Sequence, residues 1–519
     1  MEVGAATEEE SEAAQWVMYL DLEPGMVRVM KDLERWRPAI LKEVKGIEEA
    51  ITKLYPGTEL RQQWVSTPGV QRLPMKFVFT IKPNDKADPS DSSTWYKRKA
   101  RLVICGNLAT SDGSQVYAET APAEAVRMAL TLSSRNSWCI AILDVVAAFL
   151  RTPLGRSSRD PIVIAQPPRL LEVLGLTQKM ELWGLIRALY GLREAPMLWG
   201  RFRDDMLRDL HLPNSLQWKQ GSTITSWWTI RDEKGAVQAI VVVYVDDFML
   251  CGPKEVVQML GGLIRQMWDT SELTFLGPGS SIRFLGMELQ RTTETAKEIH
   301  VYQHGYITEL LRAHNVGYTQ QDKIPITKEL AAIPDVFSKA DPQLVRAAQQ
   351  VTGEVLWVAQ RTRPDLSFTT SVMAALCTRC PEQVLAIGSK VLGYLQRTID
   401  YGLVIAWEDK DLIMFCDAAY APQGARSHGG WLVTFGGVPV SWRSSRQSMI
   451  TLSTAEAELL AMLDGAVATK GIEAILADVG VQARIEFLEV NNIDYDNCIY
   501  EGVCSSIGCG AVLYSHGIS

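Results

Sequence analysis

The stretch Ala239-Ile240-Val241-Val242-Val243-Tyr244-Val245-Asp246-Asp247-Phe248-Met249-Leu250-Cys251 decides how the rest of the chain is read. A run of mostly β-branched apolar residues meets two adjacent carboxylates, and apolar residues resume at once. The run reads as a strand buried on both faces that turns tightly and returns as a second strand. Two ionised carboxylates at the tip of so buried a hairpin repel each other and lose hydration. A divalent cation relieves both costs, so Asp246 and Asp247 read as metal ligands rather than as a solvated turn.

The chain around this hairpin has 519 residues, 47% hydrophobic and 22% charged. That is ordinary globular composition and enough for about two to four domains. The longest apolar run is interrupted by the aspartates and is too short to cross a bilayer, which predicts no membrane association. The first 30 residues read as an acidic, disordered leader (Glu8, Glu9, Glu10, Glu12) without the basic and apolar regions of a signal peptide, so secretion is not expected. Nine cysteines, an odd number, point to a reducing compartment. Cys377-x-x-Cys380 and Cys504-x4-Cys509 lack a second ligand pair at zinc spacing and read as ordinary thiols. A net charge of −8 argues against a broadly basic surface, while a local basic groove remains compatible with it.

Apolar residues at helical spacing from Asp32 to Leu54 predict an amphipathic helix with Pro38 near its start or marking a short break. Phe77–Ile81 reads as a strand, followed by a Pro/Asp/Ser loop from Pro83 to Ser93. Lys97-Arg98-Lys99-Ala100-Arg101-Leu102-Val103 then reads as the basic arm of a hairpin. It is either a solvated strand or a phosphate-binding finger in which Lys99 or Arg101 meets a triphosphate. Ala123–Ser134 predicts a helix and Cys139–Leu143 a strand ending in Asp144, a third acid for a two-metal site. Pro196–Leu210 predicts a helix entered through Tyr190-Gly191-Leu192, whose glycine permits close backbone approach. After the hairpin come a helix over Val256–Met267, a strand over Ile282–Leu289 with a glycine bend, and a mostly helical region over 300–400. From about residue 411 strands return: Leu412–Asp417, Gly430–Phe435 and Pro439–Trp442. Ser453 and Glu456 form a capping box opening a helix, which leaves Glu458 to project toward Asp417 as the start of a second metal-carboxylate pair.

Taken in order, Lys99-Ala100-Arg101-Leu102-Val103, Leu143-Asp144…Ala148-Phe149-Leu150, Leu189-Tyr190-Gly191-Leu192…Ala195-Pro196…Trp199, Tyr244-Val245-Asp246-Asp247, Phe284-Leu285-Gly286, Thr362-Arg363-Pro364-Asp365, Ser441-Trp442-Arg443-Ser444 and Leu452-Ser453-Thr454-Ala455-Glu456-Ala457-Glu458 resemble the reverse transcriptase and RNase H region of copia-type LTR retrotransposon polyproteins. The match spans nearly all of residues 30–465. It implies an α+β fold: a right-hand polymerase with fingers and ferredoxin-like palm over 31–290 and a thumb or connection over 291–410. An RNase H-like α/β domain over 411–519 follows, truncated or degenerate after about 480.

The resemblance also implies an RNA-directed DNA polymerase using dNTPs, an RNA template and a DNA primer, with an RNA–DNA hybrid as the substrate of RNase H. Asp144, Asp246 and Asp247 would hold two Mg²⁺ ions, or Mn²⁺ in their place. Lys99 and Arg101 would meet the triphosphate, Phe149 would exclude a ribose 2′-hydroxyl, and Gly191 and Arg193 would lie beside the nascent base pair. Phe284-Leu285-Gly286 is similar to a primer grip, and Asp417 and Glu458 would serve RNase H. Two departures stand out. Glu194 occupies a position where the family usually has Gln, and the only later acids for RNase H are Asp494 and Asp496, neither following a clear strand. RNase H activity is therefore left open, and the alternative reading is an inactive remnant or repurposed nucleic-acid-binding protein. An intact element would also supply a protease and an integrase, and would work in a cytoplasmic particle or the nucleus.

Overall fold

A computed structural model describes residues 31–83, 91, 96–110, 116, 118–332, 334, 340–422, 424 and 426–489. The acidic leader, most of the Pro83–Ser93 loop, Asp494, Asp496 and the Cys504/Cys509 pair lie outside the described residues. The chain forms two compact units: Met1–Glu119 with Ala147–Asp209, and Thr120–Val146 with Leu210–Ser519.

In the first unit the helix Leu33–Ile47 buries Trp36, Ile40 and Ile47. It stops earlier than the apolar spacing predicts. A 3₁₀ turn over Glu48–Ala50 leads into a strand, Ile51–Leu54, which pairs with Leu182–Leu185. The β-branched Ile51 and Thr52 suit a pleated edge, and tertiary pairing overrides the helical periodicity there. The five-stranded sheet runs Ile51–Leu54, Leu182–Leu185, Val163–Gln166, Gln71–Pro83, Tyr96–Ile104. The basic strand Tyr96–Ile104 alternates as a half-buried strand should: Ala100, Leu102 and Ile104 face the core, while Lys97, Lys99 and Arg101 take the other face.

The second unit is built on a six-stranded antiparallel sheet in the order Thr274–Phe275, Cys139–Asp144, Asp247–Gly252, Val237–Tyr244, Trp227–Arg231, Gln217–Gln220. The helices Ala123–Asn136 and Lys254–Met267 pack on it. Ile240 to Val243 and Phe248 to Cys251 are fully buried, as the apolar wall of the hairpin requires. A smaller antiparallel sheet follows. The single strand expected over Ile282–Leu289 is two strands, Ser281–Phe284 and Met287–Gln290, joined at Leu285 and Gly286. Both turn residues have positive φ (51° and 74°), so the expected glycine bend is a tight two-residue hairpin turn. The helices His304–Ala313, Pro342–Ala359, Ser367–Leu376 and Pro381–Arg397 bury their own core around Ile307, Val355, Leu366 and Val391.

The last sheet is Val438–Arg446, His428–Phe435, Leu412–Ala419, Ile485–Glu489. Its final strand runs parallel to Leu412–Ala419 and is reached over the helix Thr454–Asp478, as a parallel neighbour demands. One continuous core joins Val126 and Met249 of the six-stranded sheet region to Phe284 and Met287, and then to Met414, Val433, Val440 and Ala461 of this last sheet.

His428, on the last sheet, is half-buried, lies 2.8 Å from Ser444 Oγ in a hydrogen bond, and packs edge-on against Phe368. Burial, reinforced by Arg446, lowers its imidazole to about 4. The unfolded chain titrates near 6.5, so the neutral form's stabilisation is complete above that pH and is lost between about 6.5 and 4. At pH 4.5 wild type is expected to lose about 2–3 kcal/mol more than His428→Gln, measured by urea unfolding at pH 7 and 4.5. Equal losses in both proteins would remove His428 as the cause.

Candidate active site

Asp144 ends one strand and Asp247 begins its antiparallel neighbour, so the two acids fall at the same edge of the sheet as direct cross-strand partners. Asp247 also faces Tyr244 across the hairpin. The turn between the strands is Val245-Asp246. Val245 adopts φ +56°, a conformation that a β-branched side chain enters only under constraint. The tightness of the turn brings Asp246 beside the other two acids. One ligand oxygen from each of Asp144, Asp246 and Asp247 lies within 4.8 Å of the others, and all three are half-buried.

The backbone around Asp144 is tied down from both sides. Its N–H donates to Ser271 Oγ at 2.9 Å, and Ser271 N–H donates back to the Asp144 carbonyl at 2.8 Å. Val145 N–H donates to the Asp246 carbonyl at 2.9 Å, linking strand end to turn. Burial pushes the Asp247 carboxyl up to about 7, and the charges of Asp246 and Asp144 add to the effect. Three crowded carboxylates that resist simultaneous ionisation are the donor set a hard divalent cation satisfies. Among the described residues this is the only group of three or more His, Cys, Asp or Glu placed to hold a metal ion.

The first unit gathers most of the expected nucleotide-binding residues around one tyrosine. The Arg101 guanidinium lies over the Tyr190 ring at 4.1 Å, and Phe149 meets the same ring edge-on at 5.7 Å. Gly191, at φ +84°, lies so close to the basic strand that a Cβ there would stand 2.1 Å from the Ile104 carbonyl. Ile104 N–H donates to the Tyr190 carbonyl at 2.8 Å. A Cβ on Gly106 would meet the Gly191 carbonyl at 2.2 Å and Arg193 N at 3.1 Å, so Arg193 is packed against the same corner. Lys99 shares the Arg101 face of the strand, and both act on Glu43, whose carboxyl is raised by burial despite them.

Asp417 lies near the end of the Leu412–Ala419 strand, and the helix packed on that strand carries Glu458. Neither joins a three-ligand group among the described residues. The capping box is present in altered form. Glu456 N–H donates to Ser453 Oγ at 3.2 Å, while its carboxylate accepts from Leu452 N–H rather than from Ser453. Two residues were not singled out from the sequence. Tyr190 stood inside a quoted motif and could have been noticed as an aromatic beside glycine. Ser271 has no local signal, because its partner is 127 residues away.

Among the described residues no helix is long and apolar enough to cross a membrane. The model of the family described as reverse transcriptase (RNA-dependent DNA polymerase) matches residues 62–328. The retrovirus-related Pol polyprotein from transposon RE1 of Arabidopsis thaliana is 26% identical over 468 residues, covering 88% of this chain and 29% of its own length. That from transposon TNT 1-94 of Nicotiana tabacum is 25% identical over 429 residues, covering 80% and 30%. The chain thus spans less than a third of these curated relatives. A solved foamy viral protease-reverse transcriptase in complex with double-stranded DNA aligns with 84% of this chain and 62% of its own, at 12% identity and TM-score 0.39. The matched region is just over half of the chain and contains the hairpin and its three aspartates, and the chain belongs to the reverse transcriptase family, in its copia-type retrotransposon branch.

Proposed function

We propose that this chain is an RNA-directed DNA polymerase that extends a DNA primer on an RNA template with dNTPs. The observation that carries the reading is the Asp144/Asp246/Asp247 cluster, held by strand register in a chain of this family. The three carboxylates would hold Mg²⁺ or Mn²⁺, which when bound supplies charge neutralisation at the primer 3′-oxygen and the triphosphate. The chain's own contribution is positioning: the paired strands fix Asp144 against Asp247, and the tight turn fixes Asp246. Lys99 and Arg101 are assigned to the triphosphate, and Gly191 and Arg193 to the nascent base pair.

Primer extension on an RNA template with dNTPs and Mg²⁺ tests this reading, with Asp246→Asn as the control. Synthesis by wild type that is lost in the variant supports it. Folded wild type that binds template and extends nothing points to an inactive remnant. The domain assignment follows the same reading: fingers and palm over 31–290, thumb or connection over 291–410, and an RNase H-like domain from 411. The parallel strand reached over a long helix supports the last of these. Its cleavage of hybrid RNA is read in the same assay, with Asp417→Asn as control.

Phe149 is assigned to the exclusion of ribonucleotides. Its edge-on contact with Tyr190 fixes the ring, and a fixed ring rejects a 2′-hydroxyl by volume. Phe149→Val is expected to raise ribonucleotide incorporation by roughly 10–10²-fold relative to dNTPs, read as the ratio of kcat/KM values. An unchanged ratio would remove Phe149 from this role.

A further inference from the structure

A helix that rests one side on a sheet is expected to turn a polar side to water. The helix Thr454–Asp478, packed on the last sheet, does not. Ala457, Ala461, Gly465 and Leu476 are buried on its inner side. A Cβ on Gly465 would stand 2.8 Å from Met414 Sδ, so that side is closed against the sheet. On the outer side Leu459, Leu463 and Val467 are 57–68% exposed. Their spacing of four residues sets them one above another as a stripe. Met449, Ile450 and Leu452, in the lead-in to the helix, are at least as open to solvent. The Glu456 carboxylate accepts from Leu452 N–H, which draws this lead-in to the N-terminal end of the stripe.

The charges at the two ends of the stripe indicate what covers it. Leu459 precedes Leu463 by four residues and Val467 follows it by four; Glu456 precedes it by seven and Lys470 follows it by seven. At roughly 100° per residue, all five side chains leave the helix within about 40° of the Leu463 direction. A second copy of the helix, antiparallel and related by a two-fold axis at Leu463, sets Leu463 against Leu463 and Leu459 against Val467. The same operation sets Glu456 of each copy against Lys470 of the other. A parallel copy would instead oppose like charges at both ends. Lys470 pairs within its own helix with Glu473 at 2.7 Å, but both are well exposed and such a pair is exchanged at little cost. The antiparallel arrangement also brings the Leu452 lead-in toward Gly471, over which nothing stands. Six side chains exposing roughly 100 Å² apiece give about 1,200 Å² for the pair, the lower edge of stable interfaces.

We propose that this outer face of Thr454–Asp478 is a dimer interface between two copies of the chain, paired antiparallel about Leu463. An interface of this size and composition implies dissociation in the micromolar range. The proposal does not depend on the polymerase reading.

Sedimentation equilibrium of the full chain from about 1 to 100 µM tests it. Wild type is expected to pass from monomer to dimer across that range. Leu463→Asp places two carboxylates face to face on the axis and is expected to weaken the dimer by about 100-fold or more. Leu463 is exposed, so the variant should keep the urea unfolding midpoint of wild type. Glu456→Lys and Lys470→Glu should each self-associate about tenfold more weakly, since each leaves like charges opposed at both ends. An equimolar mixture of these two variants should form a heterodimer at least as tight as the wild-type dimer, because every end pair is then opposite in sign. A variant that merely unfolded would not be rescued by mixing. Wild type that stays monomeric at 100 µM overturns the proposal. A wild-type dimer that Leu463→Asp leaves intact places the interface elsewhere and overturns it as well. Monomeric wild type with a lowered unfolding midpoint in Leu463→Asp would show the face covered by the chain's own remaining residues, which also overturns it.

Discussion

Asp246→Asn and Asp247→Asn are each expected to lower primer extension by roughly 10³-fold or more, and Asp247→Asn to melt above wild type without metal. The kinetic loss follows from the chemistry. On the proposed polymerase reading, phosphoryl transfer leaves the protein little to do except hold charge in place, and each carboxylate would be part of what holds it. The gain in stability follows from the geometry. Asp247 lies opposite Asp144 and next to Asp246, and its carboxyl is pushed up to about 7 where an unfolded chain would titrate near 3.9. A raised carboxyl means that ionising it costs folding energy. In metal-free protein the penalty begins near pH 4 and is complete above pH 7. Asn keeps the shape and removes the charge. The site is half-exposed, so solvent screening reduces the gain to roughly 1–2 kcal/mol at neutral pH. Thermal melts in EDTA and in Mg²⁺ measure both parts: wild type should gain more from the cation than Asp247→Asn. A variant that melts below wild type in EDTA would show that the acids are not crowded.

Arg127→Met is expected to destabilise the second unit by about 3–5 kcal/mol. Arg127 is 1% exposed on the Ala123–Asn136 helix. Its Nε donates to the Val440 carbonyl at 2.8 Å, and Nη1 to the carbonyls of Gln360 and Arg361 at 2.9 and 3.0 Å. The guanidinium lies over the Trp442 ring at 4.0 Å. Burial lowers its pKa to about 10, with Glu124 opposing the shift. Methionine fills the volume but leaves three carbonyls without their donor and Glu124 without its cation. Lysine is no substitute, because one ammonium cannot match the planar fork across these acceptors. Urea unfolding followed by circular dichroism measures the loss. A change below about 1 kcal/mol would mean that the surrounding core, not this residue, joins the helix to the Val438–Arg446 strand.

The hairpin and its three acids were legible because the signal is local. An apolar run long enough to be a buried strand, broken by two charges, has few meanings. Asp144 was legible by the same reasoning, as the acid ending another apolar run. Its exact pairing with Asp247 was not, since register depends on which strands meet. The helix predicted to Leu54 failed where Ile51–Leu54 found a strand partner, Leu182–Leu185, far along the chain. Leu285-Gly286 was read as a bend because one glycine suggests a kink, whereas the turn has two residues with positive φ. Ser271, Tyr190 and Arg127 were not singled out for a common reason. Each owes its role to a neighbour brought near only by the fold, and a lone Ser or Arg in sequence more often lies on a solvated surface.

The cross-strand pairing of Asp144 with Asp247 also limits how a gene for this chain can change. Successive residues of a strand point to opposite faces, so a one-codon deletion inside Cys139–Asp144 or Asp247–Gly252 would turn one aspartate away from the other. An insertion in the turn at Asp232–Gly235, between two paired strands and exposed, would leave the register untouched. Length variation among descendants of this element should therefore collect in such turns and spare the two aspartate-bearing strands, even in copies whose other residues have drifted.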